Sequence, residues 1–476
     1  MRSKFFVPLL IVGVSIAAFV ILSSGGNEEA DAERIAREQA RRRAETDDVP
    51  IDQEKVDFDA LARDGKGQQV PESLSVHPSP DKSYWFVGNK KIKAGVEIPF
   101  APGRLPTPPP ADLEPIHPNP GFVGADACQS CHPQKHASFI ETAHHRTSLP
   151  ALPINVKGKF APDQNRMATV DPNVHFTMLE RDERLFQRVA FHNWKFEVPF
   201  DLITGSSKMA QTYLYWHGDQ LFQMNVTYLS SVDDWINSPG YVDGDAAYAR
   251  PIPVRCLECH TTYADLREPP NHYTPSSLIL GISCERCHGP GKDHIEYHQA
   301  NPTEKESKFV SVPSKLTRQQ QLDVCGQCHS GVSSPKDKAF QFRPGDKFSD
   351  HYEPLKKKGE SNNVHTSNQL RRLAESECFN QSEMGCVECH DPHQNERGKM
   401  ELFSQRCLEC HQSEKCGMSE TLGASIVDNC VDCHMPKKAG EFLRLDTSEG
   451  SIFPPLRDHY IRVDQEATKK FMESRQ

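Results

Sequence analysis

The sequence predicts a mainly α protein in which short helices and loops pack around bulky apolar groups that are not side chains, with one small β-containing insertion. Three observations carry this expectation. Only 37% of the 476 residues are hydrophobic, 36 are prolines and 28 glycines, and the mean hydropathy is -0.63. A chain of this length is then short of side-chain material for a large core. Most of its 16 cysteines recur in one five-residue pattern, and the longest stretch between two copies of that pattern is cysteine-free and rich in aromatics.

The N-terminus has Arg2 and Lys4, an apolar run from Phe5 to Leu22, then Ser23, Ser24, Gly25, Gly26 and the acidic sequel Asn27, Glu28, Glu29. The run reaches membrane-spanning length, and its flanking charges direct the rest of the chain outward. An uncleaved membrane-anchoring helix is expected; the competing reading is a signal peptide cleaved after the small residues, and either takes the chain out of the cytoplasm. Residues 1–26 are accordingly the signal-anchor or signal peptide. Residues 27–120 are expected to form a stalk and linker. Ala32 to Glu45 has the composition of a solvated helix, and the end of the segment is crowded with Pro102, Pro106, Pro108, Pro109, Pro110, Pro115, Pro118 and Pro120.

The main body is expected over 121–461, with a β-containing insertion at 151–250 and a C-terminal tail at 462–476. Trp194, Trp216 and Trp235 fall in the insertion. Thr212 to His217 and Gln220 to Met224 flank Gly218-Asp219, which predicts a two-residue hairpin.

The recurring pattern is Cys-x-x-Cys-His, present seven times: Cys128/Cys131/His132, Cys256/Cys259/His260, Cys284/Cys287/His288, Cys325/Cys328/His329, Cys386/Cys389/His390, Cys407/Cys410/His411 and Cys430/Cys433/His434. Zinc ribbons, dithiol redox sites and disulfides all use Cys-x-x-Cys, but none demands a histidine immediately after it. Attachment of a c-type haem does, since the two thiols bond the vinyl groups and the next residue supplies the proximal imidazole. Seven covalently attached haems are therefore expected, and they are the missing core material.

Of 22 histidines, those outside the motifs are candidates for the second axial position. Methionine shows no shared spacing, so bis-histidine ligation is expected, with His144, His294, His365, His393 and His459 as the first candidates. His145, His298, His217, His272 and His351 rank below them. A helix after His132 would put His144 about 18 Å away, and His294 and His393 lie too near their own motif histidines to loop round the same ring, so each is expected to serve a neighbouring iron. Cys378 and Cys416 remain outside the motifs, and an even remainder in an oxidising compartment predicts a disulfide, the competing readings being two free thiols or one cysteine as an iron ligand.

The net charge of -10, with 65 acidic against 55 basic residues, excludes a nucleic-acid footprint and fits either a solvated acidic surface or docking of a basic redox partner.

Residues 121–461 resemble the multihaem cytochrome c family of the cytochrome c-552/4 type, a superfamily of doubled Cys-x-x-Cys-His proteins. The resemblance rests on Gly124-Ala125-Asp126-Ala127-Cys128-Gln129-Ser130-Cys131-His132 followed by Thr142-Ala143-His144, and on Cys284-Glu285-Arg286-Cys287-His288-Gly289-Pro290-Gly291. It rests also on Met384-Gly385-Cys386-Val387-Glu388-Cys389-His390-Asp391-Pro392-His393 and on Cys430-Val431-Asp432-Cys433-His434-Met435-Pro436-Lys437. The family holds electron carriers, pentahaem nitrite reductases and octahaem hydroxylamine oxidoreductases. All seven motifs here end in histidine, whereas the nitrite reductases typically hold their catalytic haem with Cys-x-x-Cys-Lys. The resemblance implies electron transfer through closely spaced haems between redox protein partners. The alternative is an oxidoreductase acting on a small nitrogen or sulfur compound at one five-coordinate haem, whose catalytic residues the sequence does not identify.

Overall fold

The computed structural model describes residues 56–90, 95–336, 338–353, 364–440 and 443–474. The apolar run and the helical stalk expected after it lie outside these residues. Among the described residues no helix is long and apolar enough to cross a membrane.

Strands dominate the first half. β1 (Leu74–Pro78), β2 (Trp85–Asn89) and β3 (Gly95–Ile98) form an antiparallel sheet within the stretch expected to be linker. β4 (Ser148–Pro150) lies just after the first motif. β5 (Arg166–Ala168), β6 (Val174–Arg181), β7 (Arg184–Phe191) and β8 (Trp194–Pro199) make a four-stranded meander. β9 (Leu202–Thr204), β10 (Ala210–His217), β11 (Gln220–Leu229) and β12 (Asp234–Asn237) follow, then β13 (Thr261–Tyr263), β14 (Leu266–Glu268), β15 (His272–Tyr273) and β16 (Ile279–Leu280). The largest sheet runs β14-β15-β11-β10-β9-β4, with β12 on β11, and β13 pairs with β16.

The chemistry of these strands is plain in their alternation. In β6, Val174, Phe176 and Met178 point inward while His175, Thr177 and Leu179 are only partly covered, the period-two signature of a half-buried strand. The β10–β11 hairpin turns at Gly218-Asp219 with His217 opposite Gln220, as its sequence predicts, and Gly218 takes φ +60° as such tight turns require. Between the sheets Trp194, Phe196, Phe200, Tyr213, Tyr215, Tyr248 and Trp235 share one continuous core with Val87, Val96 and Ile98 of the first sheet.

The second half is helical but thin. Its helices include Glu285–His288, Lys292–Ala300, Arg318–His329, Met400–Leu408 and Val431–His434. The hydrophobic cluster there consists of Leu322, Leu373 and Phe379 with a few partly buried neighbours. The residues expected to be a tail include the helix Gln465–Glu473, capped by Asp464 and packed on Val431–His434.

The expectation of a mainly α fold is incorrect, because strands take 24% of the chain and helices 27%. Two causes are physical. The Cys-x-x-Cys-His unit needs a single helical turn, so seven motifs contribute little helix. The alternating apolar pattern extends well beyond one hairpin, from β1 through β16.

Candidate haem-binding sites

Each motif is built as one turn of helix. His132, His288, His390, His411 and His434 each donate a backbone N–H to the carbonyl of the first cysteine of their own motif, at 2.9, 3.0, 3.0, 3.0 and 3.1 Å. The helices Val254–His260 and Arg318–His329 carry the second and fourth motifs. Positions i, i+3 and i+4 of one turn share a face, so two sulfurs and an imidazole meet one side of a flat ring.

The attachment sulfurs are not uniformly interior. Cys131, Cys256 and Cys410 are exposed, whereas the other motif sulfurs are partly covered. A thioether sulfur has only to reach the rim of its ring, and a rim can lie at the protein surface. Cys410 shows this most clearly. It lies just past the end of the helix Met400–Leu408, its N–H donates to Cys407 O at 3.2 Å, and His411 beside it is exposed as well.

The imidazoles are prepared for iron. His288 Nδ1 donates to Ser311 O at 2.9 Å, His329 Nδ1 to Thr366 O at 2.7 Å, and His434 Nδ1 to Arg462 O at 3.0 Å. His260 Nδ1 lies 3.2 Å from Thr147 O and 2.9 Å from Thr147 Oγ1. A hydrogen bond at Nδ1 fixes the tautomer whose Nε2 lone pair is free for a metal. Burial pushes the pKa of His260, His288, His329 and His390 down, which favours that neutral form. Each turn offers two thiols and one imidazole, a donor set that fits a ring bringing its own iron and four equatorial nitrogens.

Four motif histidines face a second imidazole. Ring centroids are 6.5 Å apart for His132 and His294, 6.1 Å for His329 and His144, 6.2 Å for His288 and His393, and 6.2 Å for His390 and His459. An imidazole nitrogen binds a first-row metal at about 2 Å and its ring centre lies about 1 Å further back, so two rings on opposite faces of one iron stand roughly 6 Å apart. All four pairs have that separation. Three are near parallel, at 21°, 33° and 27°, and the His144–His329 pair is crossed at 70°.

The facing rings are positioned locally. His294 lies on the helix Lys292–Ala300 with Nδ1 donating to Lys308 O at 2.8 Å. His393 turns back on Asp391, whose Oδ1 is 3.0 Å from its Nδ1. His144 follows the helix Pro133–Phe139, and burial together with the neighbouring His329 and His390 holds its pKa down to about 4. His459 is held likewise at about 4, by burial first and His390 second. It follows Asp458, which is clamped by Arg372 through Nε–Oδ1 at 2.8 Å and a second nitrogen to Oδ2 at 2.9 Å.

Among the described residues no ring contact joins His365 to a motif histidine; its Nδ1 lies 2.7 Å from Ser367 Oγ. Among the described residues no ring contact joins a second imidazole to His260, His411 or His434. Of the lower-ranked histidines, His298 packs 4.6 Å from His294 and His145 edges onto Phe139. His272 and His351 pair with Asp219 and Asp346, and His217 Nδ1 accepts from Thr107 N.

Neighbouring motifs also touch: Arg286 of the third motif donates to Glu258 O of the second at 3.1 Å, and Arg406, beside the sixth, donates to Cys389 O of the fifth at 2.6 Å. The expected disulfide is absent: Cys378 and Cys416 are both free. An even remainder of cysteines does not bring two sulfurs together. Sequence reasoning also missed the carbonyls of Thr147, Ser311, Thr366 and Arg462, which leave no signal in residue type, and the Arg372–Asp458 clamp.

Residues 242–289, which contain the second and third motifs, match the family model described as cytochrome c554 and c-prime. Together with the motif turns and their free imidazoles, this makes the chain a multihaem c-type cytochrome. Two solved structures are similar in part. The outer cell wall cytochrome OcwA is 17% identical, with 73% of this chain and 81% of that chain covered and a TM-score of 0.46. The undecaheme cytochrome from the S-layer of Carboxydothermus ferrireducens is 14% identical, with 94% and 72% covered and a TM-score of 0.35. No protein of curated function matches the chain.

Proposed function

We propose that the protein is an exported electron carrier that holds seven covalent haems and passes electrons between redox protein partners. The observation that carries this reading is the set of four facing imidazole pairs, at 6.1 to 6.5 Å. An iron with both axial positions filled changes little in geometry on gaining or losing an electron and has no place for a substrate. Bound haem supplies a one-electron iron couple. The chain supplies fourteen attachment sulfurs, seven proximal imidazoles and, at His144, His294, His393 and His459, the second axial ligands; His365 is the remaining candidate. Export follows from the chemistry, since these attachments are made outside the cytoplasm, and the run from Phe5 to Leu22 provides the membrane anchor or the cleaved signal.

Two measurements test it. The mass of the denatured haem-loaded protein should correspond to seven attached haems, and five or fewer would remove at least two motifs from the account. Adding nitrite or hydroxylamine to the oxidised protein should leave the optical spectrum unchanged. A stoichiometric high-spin species that responds to either would replace the carrier with the oxidoreductase, and His260, with no facing ring among the described residues, would be the first position to test.

A further inference from the structure

Two of the haem sites lean on one short segment of chain. His144, whose ring stands 6.1 Å from that of His329 in the fourth motif, opens a 3-10 turn over His145–Thr147. At the end of that turn Thr147 meets the second motif, with its Oγ1 2.9 Å and its carbonyl oxygen 3.2 Å from His260 Nδ1. Ser148 then donates through Oγ to the carbonyl of His260 at 2.5 Å. The same turn thus carries the ring that faces one motif histidine and the groups that orient another.

This turn is itself held from one place. Gly281 follows β16, whose Leu280 pairs with Thr261, the residue just after the second motif. Gly281 N donates to Ser148 Oγ at 2.8 Å, and the next N–H, of Ile282, donates to the carbonyl of His144 at 3.0 Å. Gly281 has φ +68°, and a Cβ there would stand 2.0 Å from the carbonyl oxygen of His145, far inside contact distance. Only glycine lets the two backbones approach so closely. Ser148 and Thr261 are buried, so these bonds are made away from water, where they hold geometry firmly.

Thr147 also differs from the supports of the other motif histidines. Ser311, Thr366 and Arg462 offer His288, His329 and His434 a carbonyl oxygen. The carbonyl of Thr147 already accepts from Gly205 N at 2.7 Å, which leaves the hydroxyl as the nearer and freer acceptor for His260. An acceptor at Nδ1 makes the imidazole a stronger donor to iron, which favours the ferric state and lowers the potential.

We propose that Gly281 and the turn from His144 to Ser148 are a shared support for the irons of the second and fourth motifs, in which the Thr147 hydroxyl sets the potential of the second and Gly281 fixes both. Thr147 and Gly281 are positioning residues, acting through His260 and His144. The proposal rests on the seven-haem reading and on the His144–His329 pair, and adds that a displacement of the turn reaches two sites at once.

The test is an EPR-monitored redox titration of the full haem-loaded chain. Thr147→Val keeps the shape and the carbonyl and removes the hydroxyl; one potential should rise while the low-spin signal of the crossed His144–His329 pair stays. Gly281→Ala should raise that same potential and also convert the crossed signal to a high-spin one. Ser148→Ala removes the bonds to His260 O and Gly281 N without adding a clash, and should move both readouts in the same directions, so the test stands if Gly281→Ala does not fold. Unchanged potentials in Thr147→Val, or a change in only one readout in Gly281→Ala or Ser148→Ala, would overturn the proposal. Failure of the underlying reading would show first in the wild type, as a haem count by mass below seven or as absence of the crossed signal.

Discussion

The strand-rich half and the motif-rich half of the molecule solve the same problem with different materials. From β1 to β12 the chain buries Trp194, Tyr213, Tyr215, Tyr248 and many aliphatic partners in one cluster, as an ordinary sandwich of sheets does. From Cys284 onward the side-chain clusters are small, and buried polar groups such as Arg372, Asp458, Glu396 and Ser404 take up interior positions. The comparison teaches that a thin side-chain core is not a weak fold when covalent rings complete it. The low overall hydrophobic fraction is the average of a normal half and a half that depends on its cofactor.

The largest effect that would break this comparison is removal of the haems. In protein made without haem attachment, amide exchange over residues 284–440 should become fast, while residues 166–237 keep slow exchange. Equal loss in both halves would show that the sheets also depend on the rings. A Trp194→Ala substitution should do the reverse. Trp194 is fully buried, and emptying such a position costs about 3–5 kcal/mol, so the melting of the strand-rich half should move down while the haem count is unchanged.

The Arg372–Asp458 clamp sharpens the contrast within the second half. Breaking a buried pair by removing one partner costs about 3 kcal/mol, and Arg372→Ala should also loosen His459, giving a high-spin fraction at the site of His390. The pair predicts a pH dependence. Burial pushes the Asp458 carboxyl up, but its bonds to Arg372 and to the Tyr460 N–H win and hold it below the usual carboxylate range. Its contribution is complete above the unfolded pKa of about 4 and is lost as pH falls through the folded value. The wild type should therefore lose stability below pH about 4 more steeply than Arg372→Ala does. The smallest effect is expected at the helix Arg318–His329. Thr317 and Gln320 form a reciprocal cap there, and Thr317→Ala should cost about 1 kcal/mol without changing the haem spectra.

What the sequence made legible follows from the same division. The motifs are legible because covalent attachment dictates their spacing, and His144, His294, His393 and His459 are candidates because a second axial position needs an imidazole outside the motif. Spacing says nothing of depth, so the exposure of Cys131, Cys256 and Cys410 had no signal in the motif itself. His144 and His393 illustrate a second limit. Sequence distance predicts that each serves a neighbouring iron, and the folded chain sets their rings against those of His329 and His288. His365 is a candidate by the same criterion, and among the described residues no ring contact joins it to a motif histidine. The strands were legible in principle, since β6 and β7 alternate cleanly, but prolines 102 to 120 drew attention to a linker and hid the sheet at 74–98. The Cys378–Cys416 expectation used parity alone, and parity carries no distance.

The central claim is that imidazoles from outside the motifs face four motif histidines, His132, His288, His329 and His390, and the EPR spectrum of the fully oxidised protein tests it most directly. Parallel imidazole planes split the iron dπ orbitals, whereas crossed planes leave them nearly degenerate, so the two arrangements give different low-spin signals. The account predicts three low-spin ferric sites of the parallel kind, from His132–His294, His288–His393 and His390–His459, and one of the crossed kind from His144–His329. In a His144→Ala variant the crossed signal alone should be lost. Retention of that signal, or fewer than four low-spin sites in the wild type, would contradict the pairing.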